Sequence, residues 1–186
     1  MKTLSTEFQT RDDGGNLSIE GYFAVFDSVY EIAQGMTESI AQGAFDNTIS
    51  DDIRCLINHD TTLVLGRTKA GTLQLRTDTH GLWGHVDINP KDVDAMNLYT
   101  RVQRGDVDQC SFGFDIVNEE TDFHDDGSIH WTIKEVKLYE VSPCTFPAYE
   151  ETNIAARTRE RDELIKRKND AWKEKTLKKL KGEKPC

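Results

Sequence analysis

Residues 109–142 carry the pattern that most constrains the fold of this 186-residue chain. Between Cys110 and Val117, aromatic and β-branched residues alternate with small or polar ones, and this period of two predicts a strand with one apolar face. Asp126-Gly127 is a strong signal for a two-residue hairpin turn. Ser128 to Ser142 then predicts a returning strand, so the sequence indicates a long antiparallel hairpin.

The hairpin signal also predicts which residues face each other. With Asp126 and Gly127 as the loop, Gly113 lies opposite Glu140 and Ser111 lies opposite Ser142. Ser111 and Glu140 then share one face, diagonal to each other and within reach of long side chains. A bulge in either strand would shift this register by one residue and exchange the faces.

The returning strand shows a sign of such irregularity. Its apolar residues stand at odd positions in Trp131 and Ile133 but at even positions in Val136 and Leu138. The sequence therefore indicates the neighbourhood of these residues better than their pairing.

Other segments predict further strands and one clear helix. Leu17 to Phe26 and the apolar run Ile53 to His59 read as strands, and residues 43–49 read as a short helix. Asn89-Pro90 and Gly105 predict the two ends of an amphipathic helix over residues 90–104.

Charge is distributed unevenly along the chain, whose net charge is −10. Residues 151–186 carry 12 Lys or Arg and 7 Asp or Glu, a net charge of +5, so residues 1–150 carry −15. The acidic body argues against a general nucleic-acid binder. The last segment predicts a charged helix without a clear apolar stripe, either simply solvated or able to dock onto an acidic partner.

Several classes of site and location are disfavoured. The apolar runs are too short to span a bilayer, and residues 1–10 show no secretory signal, so we expect no membrane association. The four cysteines lack zinc spacing and are expected to be reduced thiols. Asp122 to Gly127 imitates the start of a calcium-binding loop, but Ile133 stands where that loop needs a glutamate, so no metal is expected.

Four residues are candidates for roles in nucleophilic catalysis. Ser111 lies among small neighbours and is either a surface serine or a nucleophile, which would need a histidine base and a group to orient it. His59 stands at the end of the apolar run, at the rim of a core strand. It is either a structural hydrogen-bonding residue or the histidine base that such a nucleophile needs. Glu140 is a carboxylate on a half-buried strand and needs a partner, whether in an edge salt bridge or in a site. Cys110 is a rival nucleophile, although its alternation places it on the inward face.

Several segments in order resemble the prohead proteases of tailed bacteriophages, the serine peptidases that mature the capsid. The matching segments span roughly residues 17–156 and are Gly43-Ala44-Phe45, Asn58-His59-Asp60 with Leu65-Gly66, Ser111-Phe112-Gly113-Phe114, and Leu138-Tyr139-Glu140-Val141-Ser142 with Pro147-Ala148. The resemblance implies that His59 is the general base and Ser111 the nucleophile. Glu140 is the preferred third member because the hairpin register places it near Ser111, and Asp60 is the alternative.

This family is similar to the herpesvirus assembly proteases, and the resemblance implies an α+β fold. We expect a mostly antiparallel β-barrel with flanking helices, herpesvirus-protease-like, and a charged C-terminal helical tail. The expected division is a protease domain over residues 1–152 and a net-basic tail over residues 153–186. Pro143 and Cys144 depart from the family pattern, which leaves the end of the last strand undefined.

The resemblance also implies the activity and the partners. The expected enzyme is a serine endopeptidase that needs no cofactor and works in the host cytoplasm, inside the assembling prohead. Its expected substrates are the scaffolding region of the major capsid protein, other prohead proteins and the protease itself. The portal and a second copy of the chain are further candidate partners, whereas nucleic acid and membrane are not.

Two other readings belong to different classes of protein. The first is a catalytically idle capsid-assembly or scaffold protein on the same fold, in which the tail does the work. The second is a small acidic binding domain. The first reading predicts that replacing Ser111 with Ala leaves the behaviour of the chain unchanged, whereas in the second the domain is unrelated to phage assembly and the set of motifs is a coincidence.

Overall fold

The computed structural model describes residues 8–146 and 151–180 and, within the last helix, the side chains of residues 157–177. Pro147-Ala148 and Cys186 lie outside the described residues. The described residues form ten strands and two α-helices. Their order is β1 Gln9–Asp13, β2 Asn16–Val25, β3 Tyr30–Ala33, β4 Met36–Ile40, β5 Arg54–Ile57, β6 Asp60–Arg67, β7 Leu73–Thr77, β8 Gly81–Ile88, α1 Val93–Arg104, β9 Gln109–Phe123, β10 Ile129–Cys144 and α2 Glu151–Leu180. A 3₁₀ turn at Thr68–Ala70 lies between β6 and β7.

The strands form two sheets. The first is antiparallel, in the order β1-β2-β8-β7. In the second, β10 is the longest strand, with β9 antiparallel along one edge and both β4 and β5 parallel to it on the other, while β3 and β6 extend the sheet outwards. The expected α+β class is confirmed.

The expected β-barrel is not formed by the described residues, although most of their strand pairs are antiparallel, as expected. β10 carries β4 and β5 end to end on the same edge, so the second sheet is mixed and ends at β3 and β6. Parallel strands must be joined by crossover connections, whereas the hairpin signals in the sequence predict only the antiparallel pairing of neighbouring strands.

Apolar side chains from both sheets and from α1 share one core. In α1 the buried residues are Ala95, Leu98, Tyr99 and Val102, which form one helical stripe. Asp92 caps the helix by accepting hydrogen bonds from the backbone N–H groups of residues 94 and 95, so the helix begins three residues after the predicted start. The predicted short helix at residues 43–49 is a series of turns.

The first half of α2 contacts the body mainly through charged side chains. Arg157 is buried, pairs with Glu38 at 3.0 Å and Glu119 at 2.6 Å, and lies 4.7 Å from the centre of the Trp131 ring. Leu164 packs on the same apolar cluster. This explains why a helix without an apolar stripe still has a fixed contact with the sheet. Among the described residues, neither α-helix contains an apolar stretch of the length that a membrane span requires.

Candidate active site

His59 lies in the tight turn between β5 and β6, two residues beyond the end of the buried strand. Ile57 pairs with Asp60, so Asn58 and His59 are the two loop residues, with φ angles of 52° and 60°. Positive φ at both positions defines the turn type that suits the twist of a hairpin, and asparagine tolerates it well. A histidine in this conformation is uncommon and must be held by its surroundings.

The turn is held by the end of β10. The backbone N–H of Asn58 donates to the Pro143 carbonyl at 3.1 Å, and the Asn58 side-chain oxygen accepts from the N–H of Thr145 at 3.0 Å. The backbone N–H of His59 donates to Oγ of Ser142 at 3.3 Å. β10 continues to Cys144, so Pro143 lies within the strand and its carbonyl contributes to fixing the turn.

Glu140 meets the imidazole of His59 from β10. Nδ1 of His59 donates to Oε1 of Glu140 at 2.6 Å, and the hydroxyl of Ser142 donates to Oε2 at 2.5 Å. The side chains of His59 and Glu140 are 30% and 14% exposed, so the pair lies at the rim of the core. Charge-assisted bonds of this length are among the stronger ones in proteins.

Ser111 lies on the neighbouring strand β9. The pairs Ser111–Ser142 and Gly113–Glu140 are formed, as the hairpin register predicted. Gly113 leaves room for the carboxylate, because a Cβ at that position would lie 2.5 Å from Oε1 of Glu140. The side chain of Ser111 is half-buried, and its hydroxyl makes no hydrogen bond with the described residues. The structure therefore places Ser111 beside the His59–Glu140 pair.

The hairpin forms these predicted pairs although its loop and the strand pairing next to the loop differ from the prediction. At the hairpin tip Phe123 pairs with Ile129, which leaves a five-residue loop at 124–128. The pairing then shifts between Ile133 and Glu135, again before Val136, and last around Tyr139. These shifts bring the ladder back to the predicted pairs at the Ser111 end.

Comparison with known proteins identifies the family. The model of the caudovirus prohead serine protease family matches residues 4–167. The chain belongs to this family. It is also 32% identical over 163 residues to the prohead protease of Enterobacteria phage HK97, an alignment covering 84% of this chain and 68% of the phage protein. No solved structure matches the chain, and the likeness to herpesvirus assembly proteases stays a prediction.

Membership in this prohead serine protease family confirms the resemblance drawn from the sequence. It makes the chain a protease of phage capsid maturation.

The structure also gives the hydrogen bonds of the two remaining candidate residues, Asp60 and Cys110. Asp60, the alternative third member, accepts hydrogen bonds at Oδ1 from the N–H and hydroxyl of Thr62, and these lower its pKa. Cys110 directs its thiol to the carbonyls of Tyr22 and Phe23, towards the other sheet.

Two buried thiols lie close to the carboxylate. Burial raises the pKa of Cys144 to about 11 and that of Cys55 well above its usual value, and the negative charge of Glu140 adds to both shifts. Both thiols are therefore protonated near neutral pH and are poor nucleophiles. Three of the four cysteines are described, and none of these three forms a disulfide bond with another described residue.

Two residues of the site were not among the predicted ones. Ser142 contacts both His59 and Glu140, and Asn58 fixes the turn. Ser142 could have been found, since it stands two residues after Glu140 and therefore on the same face of the strand. The described residues contain no group of three His, Cys, Asp or Glu side chains placed to bind a metal ion.

Proposed function

We propose that the chain is a prohead endopeptidase in which Ser111 is the nucleophile, His59 is the general base and Glu140 orients His59. The observation that carries this proposal is the 2.6 Å hydrogen bond between His59 and Glu140, beside a serine on the adjacent strand. A nucleophile, a base and a group that orients the base are the parts that serine proteases share on unrelated folds.

The hydrogen bonds assign the roles of the two imidazole nitrogens. Nδ1 of His59 binds Glu140, so Nε2, which is shielded from solvent, acts as the base. Nε2 takes the proton of the Ser111 hydroxyl as its oxygen attacks a peptide carbonyl, and then gives that proton to the leaving amine. Water resolves the acyl-enzyme by the same path in reverse. Backbone N–H groups are the expected donors to the oxyanion.

Active-site hydrogen bonds commonly shorten only when substrate is bound. A Ser111 hydroxyl that has no hydrogen bond with the described residues is therefore compatible with a nucleophile awaiting substrate. The same feature fits the alternative function, a catalytically idle capsid-assembly protein. The experiment below separates the two.

We propose that the substrates are the scaffolding part of the capsid protein, other prohead proteins and the chain itself. Family membership supports the capsid precursor as the principal partner. The protease would act in the host cytoplasm inside the assembling prohead, where confinement raises its effective concentration near the substrate. The portal and a second copy of the chain are further proposed partners.

We also propose a division of labour between a protease domain at residues 1–152 and a tail at residues 153–186. The tail side chains beyond Lys168 support it, since Trp172 is 66% exposed and Leu177 is 55% exposed. The net charge of +5 over residues 151–186 suits an acidic surface of the prohead interior. On this proposal the exposed part of the tail beyond Lys168 docks the enzyme and is removed by self-cleavage.

The test is intact mass spectrometry of the full chain, of Ser111→Ala and of Cys110→Ala, alone and mixed with capsid precursor. We expect the wild type and Cys110→Ala to shorten themselves and the precursor, and Ser111→Ala to do neither. A fluorophosphonate probe should add its mass to the wild type and not to Ser111→Ala. Full-length chains and uncut precursor in all three samples would instead support the assembly-protein function.

A further inference from the structure

Ser142 contributes one hydroxyl to two parts of the candidate site. Its side chain is fully buried, at 0% exposure. Oγ donates to Oε2 of Glu140 at 2.5 Å and accepts from the backbone N–H of His59 at 3.3 Å. The hydroxyl therefore joins the carboxylate on β10 to the turn that carries the imidazole.

We infer that Ser142 is a positioning residue that sets the orientation of both Glu140 and His59, an inference that rests on the proposed function of that pair. A glutamate carboxylate rotates freely about its last torsion angle unless a second contact fixes its plane. Ser142 holds Oε2, and this leaves Oε1 directed at Nδ1 of His59. The bond to the His59 N–H also supports a turn whose positive φ angles need outside stabilisation.

The geometry gives Ser142 a different role from Ser111, although the two residues are directly paired across the strands. The single proton of the Ser142 hydroxyl is donated to Glu140, and the residue is inaccessible to a substrate. A nucleophile needs its proton directed at the base and its oxygen open to the substrate. Ser142 therefore acts through its neighbours.

The chain provides a matched control in Ser39. This serine is also buried, at 6% exposure, and its Oγ lies 2.9 Å from Nε2 of His130 in the same sheet. Nδ1 of His130 is 2.8 Å from the hydroxyl of Thr37. Removing the Ser39 hydroxyl thus deletes a buried serine–histidine contact that has no part in the proposed triad.

The test measures kcat and KM on capsid precursor for the full-length chains with Ser142→Ala, Ser142→Cys and Ser39→Ala. Losing a hydrogen bond to a charged group predicts a fall in kcat of about 10- to 100-fold for both Ser142 variants, with KM nearly unchanged. Ser39→Ala should keep the wild-type kcat. The cysteine variant is close in size to serine and a poor donor, so it tests the inference where a cavity left by alanine prevents folding.

A spectroscopic readout makes the test independent of turnover. In a Ser111→Ala background, the Nδ1 proton of His59 should give a low-field NMR signal that is absent from a His59→Gln chain. Ser142→Ala or Ser142→Cys should move this signal to higher field or abolish it, and Ser39→Ala should leave it in place.

Unchanged kcat and an unchanged signal in the Ser142 variants would overturn the inference, as would equal losses in Ser39→Ala. The failure of the proposed function looks different. In that case Ser111→Ala cleaves as fast as the wild type. The NMR comparison still reports whether Ser142 fixes the orientation of Glu140 and His59.

Discussion

Replacing Glu140 with glutamine removes one charge and little else. The amide oxygen can still accept the hydrogen bond from Nδ1 of His59, and the bond to Ser142 reverses its direction, with the amide nitrogen donating to Oγ, so we expect the fold to be retained. What is lost is the negative charge that, in the proposed mechanism, stabilises the imidazolium formed while His59 holds the proton of Ser111. The substitution therefore isolates the electrostatic part of the proposed role.

The expected loss can be worked from the geometry. With Nδ1 and Oε1 2.6 Å apart, the two charge centres are about 4 Å apart and interact by about 4 kcal/mol at an effective dielectric constant of about 20. The side chains of His59 and Glu140 are 30% and 14% exposed, so solvent screening lowers this to about 3 kcal/mol. That energy corresponds to a fall in kcat of about 150-fold.

The assay is the initial rate of capsid-precursor cleavage at saturating substrate, read on gels or by mass spectrometry. Asp60→Asn is the matched control, because it neutralises the other carboxylate proposed for this role while keeping an oxygen that can accept from Thr62. We expect it to cleave at the wild-type rate. Wild-type activity in Glu140→Gln, or the larger loss in Asp60→Asn, would refute the assignment of Glu140.

Three further predictions concern the surroundings of the site. Gly113→Ala places a methyl group 2.5 Å from the Oε1 atom of Glu140, and displacing this carboxylate should cost about 100-fold in kcat with little change in melting temperature. Arg157→Leu removes the cation that pairs with the buried Glu38 and the partly buried Glu119 and should lower the free energy of unfolding by about 3–5 kcal/mol in a urea titration; the exposed Arg167→Leu should have no measurable effect. Cys55 and Cys144 should resist iodoacetamide at pH 8 in the folded protein and react in urea, because burial raises the pKa of Cys55 well above its usual value and that of Cys144 to about 11, which leaves about one Cys144 thiolate in a thousand; rapid alkylation of either of these two thiols in the native chain would contradict this.

The part of the site that follows from local patterns was predictable from the sequence. The alternation around Phe112 and Phe114 predicted that those rings face the core and that Ser111 lies on the opposite face. Both rings pack against the core as expected. The pairing of Glu140 with Gly113 was also predicted. Period-two alternation and hairpin register are properties of adjacent residues, so a single sequence carries them.

The turn that carries His59 was less accessible to sequence reasoning. Ile53 to His59 reads as one apolar run, but the strand ends at Ile57 and the chain reverses at Asn58-His59. This turn lacks the usual glycine, and its stability comes from contacts with Pro143 and Thr145, more than 80 residues away. The parallel pairing of β10 with β4 and β5 is non-local in the same sense, and the expected barrel was wrong for that reason.

The irregular spacing of the apolar residues in the returning strand nevertheless contained information about the candidate site that the predictions from local patterns did not use. Ile133 is buried at an odd position, Leu138 at an even one and Val141 again at an odd one. Each change of parity coincides with a shift in pairing, one near residue 134 and one around Tyr139. A bulge is the only way for a strand to keep its apolar residues on one face after such a change. Because Val141 stays on the core face, Glu140 and Ser142 must both turn to the other face, which is the face where Ser111 and His59 lie. The two changes of parity thus locate the candidate active site on one side of the hairpin without reference to any contact.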